Sequence, residues 1–162
     1  MRAAFIREHG GPEVLTYSET FPDPVAGEGD VVLRVGASTL NYHDIFTRRG
    51  MPGIKLSLPV VPGLDVAGEI AEVGRGVSGW KVGDRVVVDP INRREGGVVG
   101  ETVNGGLAEY CRVRAHQLIA LPDNVSFEEA AVLPTAYATA HRMMFTNGQV
   151  REGEKVAILG AS

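Results

Sequence analysis

The sequence contains very little cysteine and no long apolar run. Its 162 residues include one cysteine, Cys111, so neither an internal disulfide nor a zinc site built from several cysteines can form within the chain. No apolar run approaches the roughly 20 residues of a membrane-spanning helix. The first residues, MRAAFIREHGG, lack the apolar core of a signal peptide. These absences predict a cytoplasmic location.

The sequence also lacks a strong charge of either sign. Its 16 Lys and Arg residues stand against 20 Asp and Glu residues, which gives a net charge of −4. A balance of this kind favours neither nucleic acid nor an anionic membrane surface as a partner. We therefore expect the partner to be a small-molecule substrate.

Glycine, in contrast, is abundant, with 21 residues that separate short apolar runs. Short runs divided by Gly and Pro turns are typical of a β barrel or sandwich and not of a helical bundle. We predict seven strands, at Arg2–Ile6, Leu15–Glu19, Val31–Ser38, Gly68–Val73, Arg85–Val88, Leu107–Val113 and Gln117–Ala120. The chain is therefore predicted to be mainly β with short helices.

Two segments depart from this strand pattern. Residues Arg94–Gly106 are polar and rich in glycine, which predicts a long surface loop. Ser126 and Glu129 have the spacing of a capping box, which predicts a short helix at Phe127–Leu133. Pro134 interrupts that helix, and a second one is predicted at Ala136–Phe145.

The last residues of the sequence predict one more strand. The apolar run within Glu154–Leu159 leads into Gly160-Ala161-Ser162, as at the start of a dinucleotide-binding βαβ unit. One glycine after a strand is a weak signal by itself. Its position leads us to expect that the chain is a fragment of a longer protein, and that the fragment alone is inactive.

Several short motifs occur in a characteristic order along most of the chain. They are Pro62-Gly63, Asp65, Gly68, Val73-Gly74, Gly83-Asp84 with Val86, Gly105–Tyr110 and Thr139-Ala140. In these motifs the chain resembles the medium-chain dehydrogenase/reductase superfamily, which includes zinc alcohol dehydrogenases and zinc-free quinone oxidoreductases. The resemblance implies a GroES-like, partly open β barrel at residues 1–125, which carries the catalytic residues. Residues 126–162 would be connecting helices and the first helix and strand of a truncated Rossmann domain.

The resemblance also locates the catalytic zinc ligands of that superfamily. They would fall at Asn41, at Leu64 and near Ala131, none of which supplies the thiolate, imidazole or carboxylate that zinc requires. The segment Asp89–Gly106 has none of the cysteines that hold the structural zinc. We therefore expect no zinc. A rearranged metal site built from His43, Asp44 and Asp65 is the alternative.

The candidate active site is the segment NYHDIFTRR, residues 41–49. The resemblance places Asn41 facing the nicotinamide, where zinc-free quinone oxidoreductases also have Asn; the alternative is a turn-capping Asn. His43 occupies the position of the hydroxyl residue that relays protons in zinc alcohol dehydrogenases. Histidine changes charge near neutral pH, so His43 and Tyr42 are candidate proton donors. Alternatively, His43 only lines the cleft, and Tyr42 packs or contacts a cofactor phosphate.

Other residues are predicted to support the structure of the site or to contact the cofactor. Asp44 and Arg48 are four residues apart and predict an ion pair on a helical turn, with Asp44 fixing the turn that presents Asn41. Asp65 is predicted to order its own turn. Thr135, Thr139 and Gly160 are predicted, with Asn41, to contact the cofactor; helix-start capping is the alternative for the two threonines.

These predictions combine into one functional expectation. The chain would belong to a zinc-independent oxidoreductase that uses NADPH or NADH to reduce quinones or activated C=C or carbonyl compounds by hydride transfer. A zinc-type alcohol dehydrogenase with a remodelled metal site and a non-catalytic NADPH-binding relative are the alternatives. Because dimers in this superfamily commonly form through the nucleotide domain, the resemblance also implies a homodimer in the full-length form.

Overall fold

Seven antiparallel strands make up most of the ordered secondary structure. The computed structural model describes residues 1–53 and 56–160. The strands are β1 (Ala3–Ile6), β2 (Leu15–Ser18), β3 (Asp30–Thr39), β4 (Asp65–Val73), β5 (Arg85–Val88), β6 (Tyr110–Arg114) and β7 (Leu118–Ala120). The α-helices are α1 (Tyr42–Arg49), α2 (Phe127–Ala131) and α3 (Ala138–His141).

The strands form two sheets that approach each other without closing. One sheet pairs β1 with β2, and the other has five strands in the order β6-β3-β4-β5-β7. Isolated bridges join Ala3 to Ala108 and Ile6 to Val60, so β1 connects the smaller sheet to the loops at the edge of the larger one. This arrangement is the partly open barrel that the sequence predicted.

The core lies inside the five-stranded sheet. Alternate residues of the strands point inward, as in Val31 and Leu33 of β3 and Val86 and Val88 of β5. Burying each such side chain contributes about 1.5–3 kcal/mol relative to leaving it exposed. Apolar residues between them, such as Val87, are also buried, because α2 covers the other face of the sheet there. The strands are therefore short, nearly continuous apolar runs, and such runs identified them in the sequence.

The structure confirms a strand in each of the seven predicted runs, with changed ends. β3 and β4 are longer, because β4 begins at Asp65 and pairs with β3 as far as Thr39. β6 begins at Tyr110 instead of Leu107, since the Leu107 N–H bonds to the Pro62 carbonyl and not to β3. Gln117 lies in a 3-10 turn, where its side chain bonds to the Asp89 carbonyl.

The helices differ more from their predictions. The eight-residue helix α1 was predicted only as a turn; it begins at Tyr42 and ends at Arg49, and Gly50 caps its C-terminus. α2 begins as predicted, with Ser126 and Glu129 exchanging capping hydrogen bonds, but it ends at Ala131. The helical chain resumes with Pro134 in its first turn and continues from Leu133 to Asn147 through α3 and two π-helical turns.

The strand predicted within Glu154–Leu159 is not formed. These residues are exposed and have no regular secondary structure. A buried strand needs neighbouring strands to satisfy its backbone groups, and the described residues provide none here. Ala161 and Ser162, which belong to the same predicted motif, lie outside the described residues. No helix within the described ranges combines the length and apolar character needed to cross a membrane.

Candidate active site

A cleft lies between helix α1 and the helical segment that starts at Leu133. Its volume is about 360 Å³, and its walls include His43, Leu64, Thr135 and Thr139. α1 supplies His43, the turn before β4 supplies Leu64, and the helical segment supplies both threonines. The fold therefore brings three of the predicted site residues to one place, although they are up to 96 positions apart (139 − 43) in the sequence.

The carboxylate of Asp65 connects the elements around this cleft. It is 1% exposed. It accepts hydrogen bonds from Thr135 Oγ1 at 2.6 Å and from the Thr135 N–H at 3.2 Å. Asn41 Nδ2 donates at 3.1 Å, and the single hydroxyl hydrogen of Thr39 is shared between Asp65, at 3.4 Å, and the Ala131 carbonyl, at 3.1 Å. A buried carboxylate is tolerable when donors surround it in this way, so Asp65 holds Asn41 and Thr135 in a defined relation.

A second buried carboxylate, Asp44, fixes the start of α1. Its Oδ2 accepts from the backbone N–H of Asn41 at 2.7 Å, and its Oδ1 accepts from that of Gly63 at 2.8 Å. Burial raises the pKa of Asp44, while the two backbone donors and His43 act in the opposite direction. The prediction that Asp44 fixes the turn presenting Asn41 is therefore supported by direct contacts.

The predicted ion pair between Asp44 and Arg48 is wrong. Arg48 Nη1 instead donates to the Gly10 carbonyl at 3.0 Å. The Asp44 carboxylate faces inward, because the two backbone N–H groups at the base of the helix would otherwise be buried without partners. The spacing rule for helical pairs applies to exposed faces, and Asp44 is not on one.

Gly63 permits the chain to pass close to the next loop. Its φ is +104°, and a Cβ built there would lie 2.7 Å from the Leu107 nitrogen. Only glycine adopts this backbone conformation without strain, and no side chain fits the space. The Gly63 N–H is thereby aimed at Asp44, so this turn is part of the support for the site.

His43 has one strong partner. Its Nε2 lies 2.6 Å from Oε2 of Glu101, and the two side chains are 33% and 12% exposed. Glu101 belongs to the loop Arg94–Gly106 and is 58 positions from His43. The sequence contains no signal for this pairing, since Glu101 is one of three charged residues in a polar loop and nothing distinguishes it from Glu95. Thr39, which contacts Asp65, was also not predicted as part of the site.

Two predicted site residues lie elsewhere. The Tyr42 side chain is 77% exposed and packs near Phe46, with ring centroids 6.3 Å apart. It lines a separate, mostly apolar cavity of about 410 Å³, and Asn41 forms part of the boundary of that cavity. Gly160 lies in an exposed turn, with no atom within 4 Å of the position that a Cβ would occupy.

The positions expected for zinc ligands do come together, but their chemistry does not suit zinc. Asn41 uses its amide to donate to Asp65, Leu64 is a buried alkyl group, and Ala131 offers only a carbonyl, which accepts from Thr39 Oγ1 at 3.1 Å. Zinc sites need thiolate, imidazole or carboxylate ligands. Within residues 1–53 and 56–160, no three His, Cys, Asp or Glu side chains are grouped as a metal site requires. The three residues of the alternative metal site bond elsewhere: His43 to Glu101, Asp44 to backbone N–H groups, and Asp65 to Asn41 and Thr135.

Cys111 takes no part in the cleft. It is buried in β6, and its Sγ lies 3.5 Å from the Asn104 carbonyl oxygen. Burial raises the pKa of the Cys111 thiol to about 12, so the thiolate that would act as a nucleophile is not populated at neutral pH.

Comparison with known proteins agrees with this fold. Residues 27–123 match the family of alcohol dehydrogenase GroES-like domains. A quinone oxidoreductase from Lama guanicoe is 38% identical over 162 residues, which are 100% of this chain and 46% of the relative. A crystal structure of an NAD-dependent alcohol dehydrogenase superposes with a TM-score of 0.87 at 37% identity, covering 95% of this chain and 49% of that one. A mycobacterial protein in complex with NADPH superposes with a TM-score of 0.77 at 31% identity, over 95% and 44% of the two chains.

The chain belongs to the medium-chain dehydrogenase/reductase superfamily and carries its GroES-like domain. It spans about half the length of the curated relatives that it matches.

Proposed function

We propose that the protein containing this chain is a zinc-independent, NAD(P)H-dependent oxidoreductase that reduces quinones or activated C=C or carbonyl compounds. The observation that carries the proposal is the network around Asp65. In this network Asn41, which the resemblance aligns with a zinc-ligand position of the superfamily, is a hydrogen-bond donor to Asp65. The similarity to quinone oxidoreductases over the whole chain supports this choice of acceptor.

The residues at the expected zinc-ligand positions also favour one class of substrate over another. Oxidation of a simple alcohol needs a group that stabilises an alkoxide, which a metal normally supplies. Conjugated acceptors spread the charge that follows hydride addition over several atoms, so they depend less on a metal. The polar groups in the wall of this cleft include the His43 imidazole and the Thr139 hydroxyl, which can donate hydrogen bonds to such an acceptor.

The cleft fits a nicotinamide cofactor. A cavity of about 360 Å³ with hydroxyls of Thr135 and Thr139 in its wall is in the range of small-molecule sites. When bound, the nicotinamide supplies a hydride, that is, a hydrogen with its electron pair. Asn41 and Thr135, held together through Asp65, would orient the ring, and Thr139 would add a contact. Gly160 is proposed as a further cofactor contact on the basis of the resemblance alone.

Proton supply is proposed to come from α1. Hydride addition leaves one negative charge on the acceptor oxygen, and one proton restores the balance. His43 faces the cleft and is the first candidate donor. Tyr42 is the second candidate; it faces the neighbouring cavity, so it serves an acceptor that extends past Asn41.

The remaining assignments follow from the same resemblance. Residues 1–125 would be the catalytic domain, and residues 126–162 would begin a nucleotide-binding domain. The full-length protein would be a cytoplasmic homodimer that acts on a small molecule. Light scattering of the purified full-length protein checks the oligomeric state directly.

The decisive experiment is NADPH oxidation by the full-length protein with a panel of quinones and enones, before and after exhaustive chelation. We expect turnover that survives chelation and protein that contains no stoichiometric zinc. Activity that is lost on chelation and returns with zinc would instead support a remodelled alcohol dehydrogenase. Binding of NADPH without turnover of any acceptor would support the non-catalytic alternative.

Two matched variants then assign the donor. His43→Gln is expected to lower kcat by about 100-fold, because a positioned general acid contributes about 10²–10⁴ in rate. Tyr42→Phe removes only the phenol hydroxyl and is expected to change kcat by less than about fivefold, since removing one exposed hydroxyl costs at most about 1 kcal/mol. The reverse ranking would make Tyr42 the donor.

A further inference from the structure

The contact between Glu101 and His43 assigns a role to a residue outside the predicted site. We infer that Glu101 is a positioning residue for His43: it holds the imidazole with hydrogen on Nε2 and leaves Nδ1 as the nitrogen that serves the acceptor. The inference rests on the proposed function, because it concerns the residue proposed there as proton donor.

The hydrogen-bonding chemistry of the pair determines the tautomer. An ionised carboxylate only accepts hydrogen bonds, so at 2.6 Å the Nε2 of His43 must be the donor to Glu101. Neutral imidazole carries a single N–H, so Nδ1 then holds the lone pair. Within the part of the chain that the structure describes, Nδ1 has no hydrogen-bond partner, and His43 lines the cleft.

Burial makes the pairing costly to break. The Glu101 side chain is 12% exposed, and none of the ion pairs formed by described residues joins it to Arg or Lys. A carboxylate that is largely removed from solvent needs a hydrogen-bond donor to offset its desolvation, and the His43 N–H is that donor. Other charged groups near His43 are Asp44, which is engaged with backbone N–H groups, and Asp89, Arg93 and Arg142 in the cleft wall.

The turn that carries Glu101 is itself held in place. Val99 is buried and pairs with Val103, and the Gly100 N–H bonds to the Val103 carbonyl at 2.9 Å. A Cβ added to Gly100 would lie 3.0 Å from the Gly63 nitrogen, so the turn packs directly on the glycine that supports Asp44. Glu101 is thus presented to His43 by the same backbone that fixes the base of α1.

The pair makes the proton step chemically simple. The imidazolium form of His43 carries hydrogen on both nitrogens, and Glu101 stabilises that charge through Nε2. When the Nδ1–H bond breaks and an O–H bond forms on the reduced acceptor, neutral imidazole remains with hydrogen on Nε2. A proton from water then restores Nδ1–H. The hydrogen bond to Glu101 persists throughout, so the ring keeps one orientation.

The test combines a spectroscopic and a kinetic measurement on the full-length protein with ¹⁵N-labelled histidine. Four variants are compared: Glu101→Ala removes the partner, Glu101→Asp keeps the charge, Glu101→Gln keeps the size and an acceptor, and Glu95→Ala removes another carboxylate of the same loop. Glu95 pairs with Arg114 and does not touch His43. The His43→Gln variant assigns the His43 resonances.

In Glu101→Ala we expect the two imidazole ¹⁵N resonances of His43 to move toward those of a mixture of tautomers. We expect kcat to fall about 10- to 100-fold, a part of what a general acid contributes, with the KM for NADPH unchanged. Glu101→Asp should recover part of kcat. Glu101→Gln should keep the tautomer but lose rate, and Glu95→Ala should resemble the wild type.

Two results would overturn the inference. One is an unchanged His43 spectrum in Glu101→Ala. The other is a shifted spectrum with unchanged kcat, in a protein whose His43→Gln variant is impaired. If the full-length protein reduces no acceptor, the proposed function fails and the proton step with it, whereas the spectrum still decides whether Glu101 sets the tautomer.

Discussion

The two walls of the cleft are built in different ways. One wall is formed by α1 and the turn that leads into β4, and we call it the strand side; its Asp44, Gly63 and Asp65 are buried and satisfied by close hydrogen bonds. On the helical side, none of the residues from Leu133 to Asn147 is buried, although Thr135 and Thr139 of that segment line the cleft. The strand side therefore sets the geometry of the site, and the helical side is held to it mainly through the contact between Thr135 and Asp65. Substitutions on the strand side should accordingly cost more stability.

The largest effect is expected for Asp65→Asn. Every contact to Asp65 is a donor, so an amide NH₂ would face N–H and O–H groups in a buried site. We expect the free energy of unfolding to fall by about 3 kcal/mol, measured by urea denaturation. Glu69→Gln, on the exposed face of the same strand, should change it by less than about 1 kcal/mol. If the two variants lost equal amounts of unfolding free energy, the hydrogen bonds to Asp65 would not make the strand side the more stable wall.

A smaller loss is expected for Gly63→Ala. This variant combines a positive φ with a close approach to the Leu107 nitrogen, and we expect it to cost about 2 kcal/mol or more in the free energy of unfolding. Gly79→Ala is the matched control, since Gly79 has a φ of +81° with nothing within 4 Å of the added Cβ. It should cost about 1 kcal/mol. If the two variants lose the same unfolding free energy, the close packing at Gly63 does not contribute to stability.

The burial of Asp44 predicts a pH dependence opposite to that of most carboxylates. Its pKa is raised by burial, so the folded protein binds a proton that the unfolded chain has already lost. The stability linked to Asp44 is present below its unfolded pKa of about 3.9 and is lost as the pH rises through the raised value. The difference in unfolding free energy between the wild type and Asp44→Asn should therefore shrink with rising pH. A difference that grows with rising pH would contradict this prediction.

The smallest effect is expected at the start of the helical side. Ser126→Ala removes the side-chain acceptor that caps the Glu129 N–H at 3.1 Å. We expect a loss of about 1 kcal/mol in thermal or urea unfolding, and Ser126→Asp, which can also cap, should restore most of it. A loss as large as that of Asp65→Asn would mean that α2 contributes as much as the strand side does.

Much of the fold was predictable because its signals are local. Strand runs such as Arg85–Val88 and the capping box at Ser126 depend on residues that are close in sequence. The terminal strand failed because a buried strand depends on neighbours that the described residues do not include. The ion pair between Asp44 and Arg48 failed because helix spacing does not reveal which face is buried. The assignment of the cofactor and proton-donor residues, and the domain boundary at 125, remain predictions.

The amino-acid sequence by itself determined where the strands lie, the family and the residue types at the candidate site. Periodicity, turn-forming residues and ordered motifs depend on residues that are close in the sequence, so they can be recognised without a structure. Only the tertiary structure decided that Asp65 joins Asn41 to Thr135 and that Glu101 meets His43. Both contacts link distant segments through one or two hydrogen bonds. Their formation depends on burial and on the packing of glycine turns, and no local pattern encodes them.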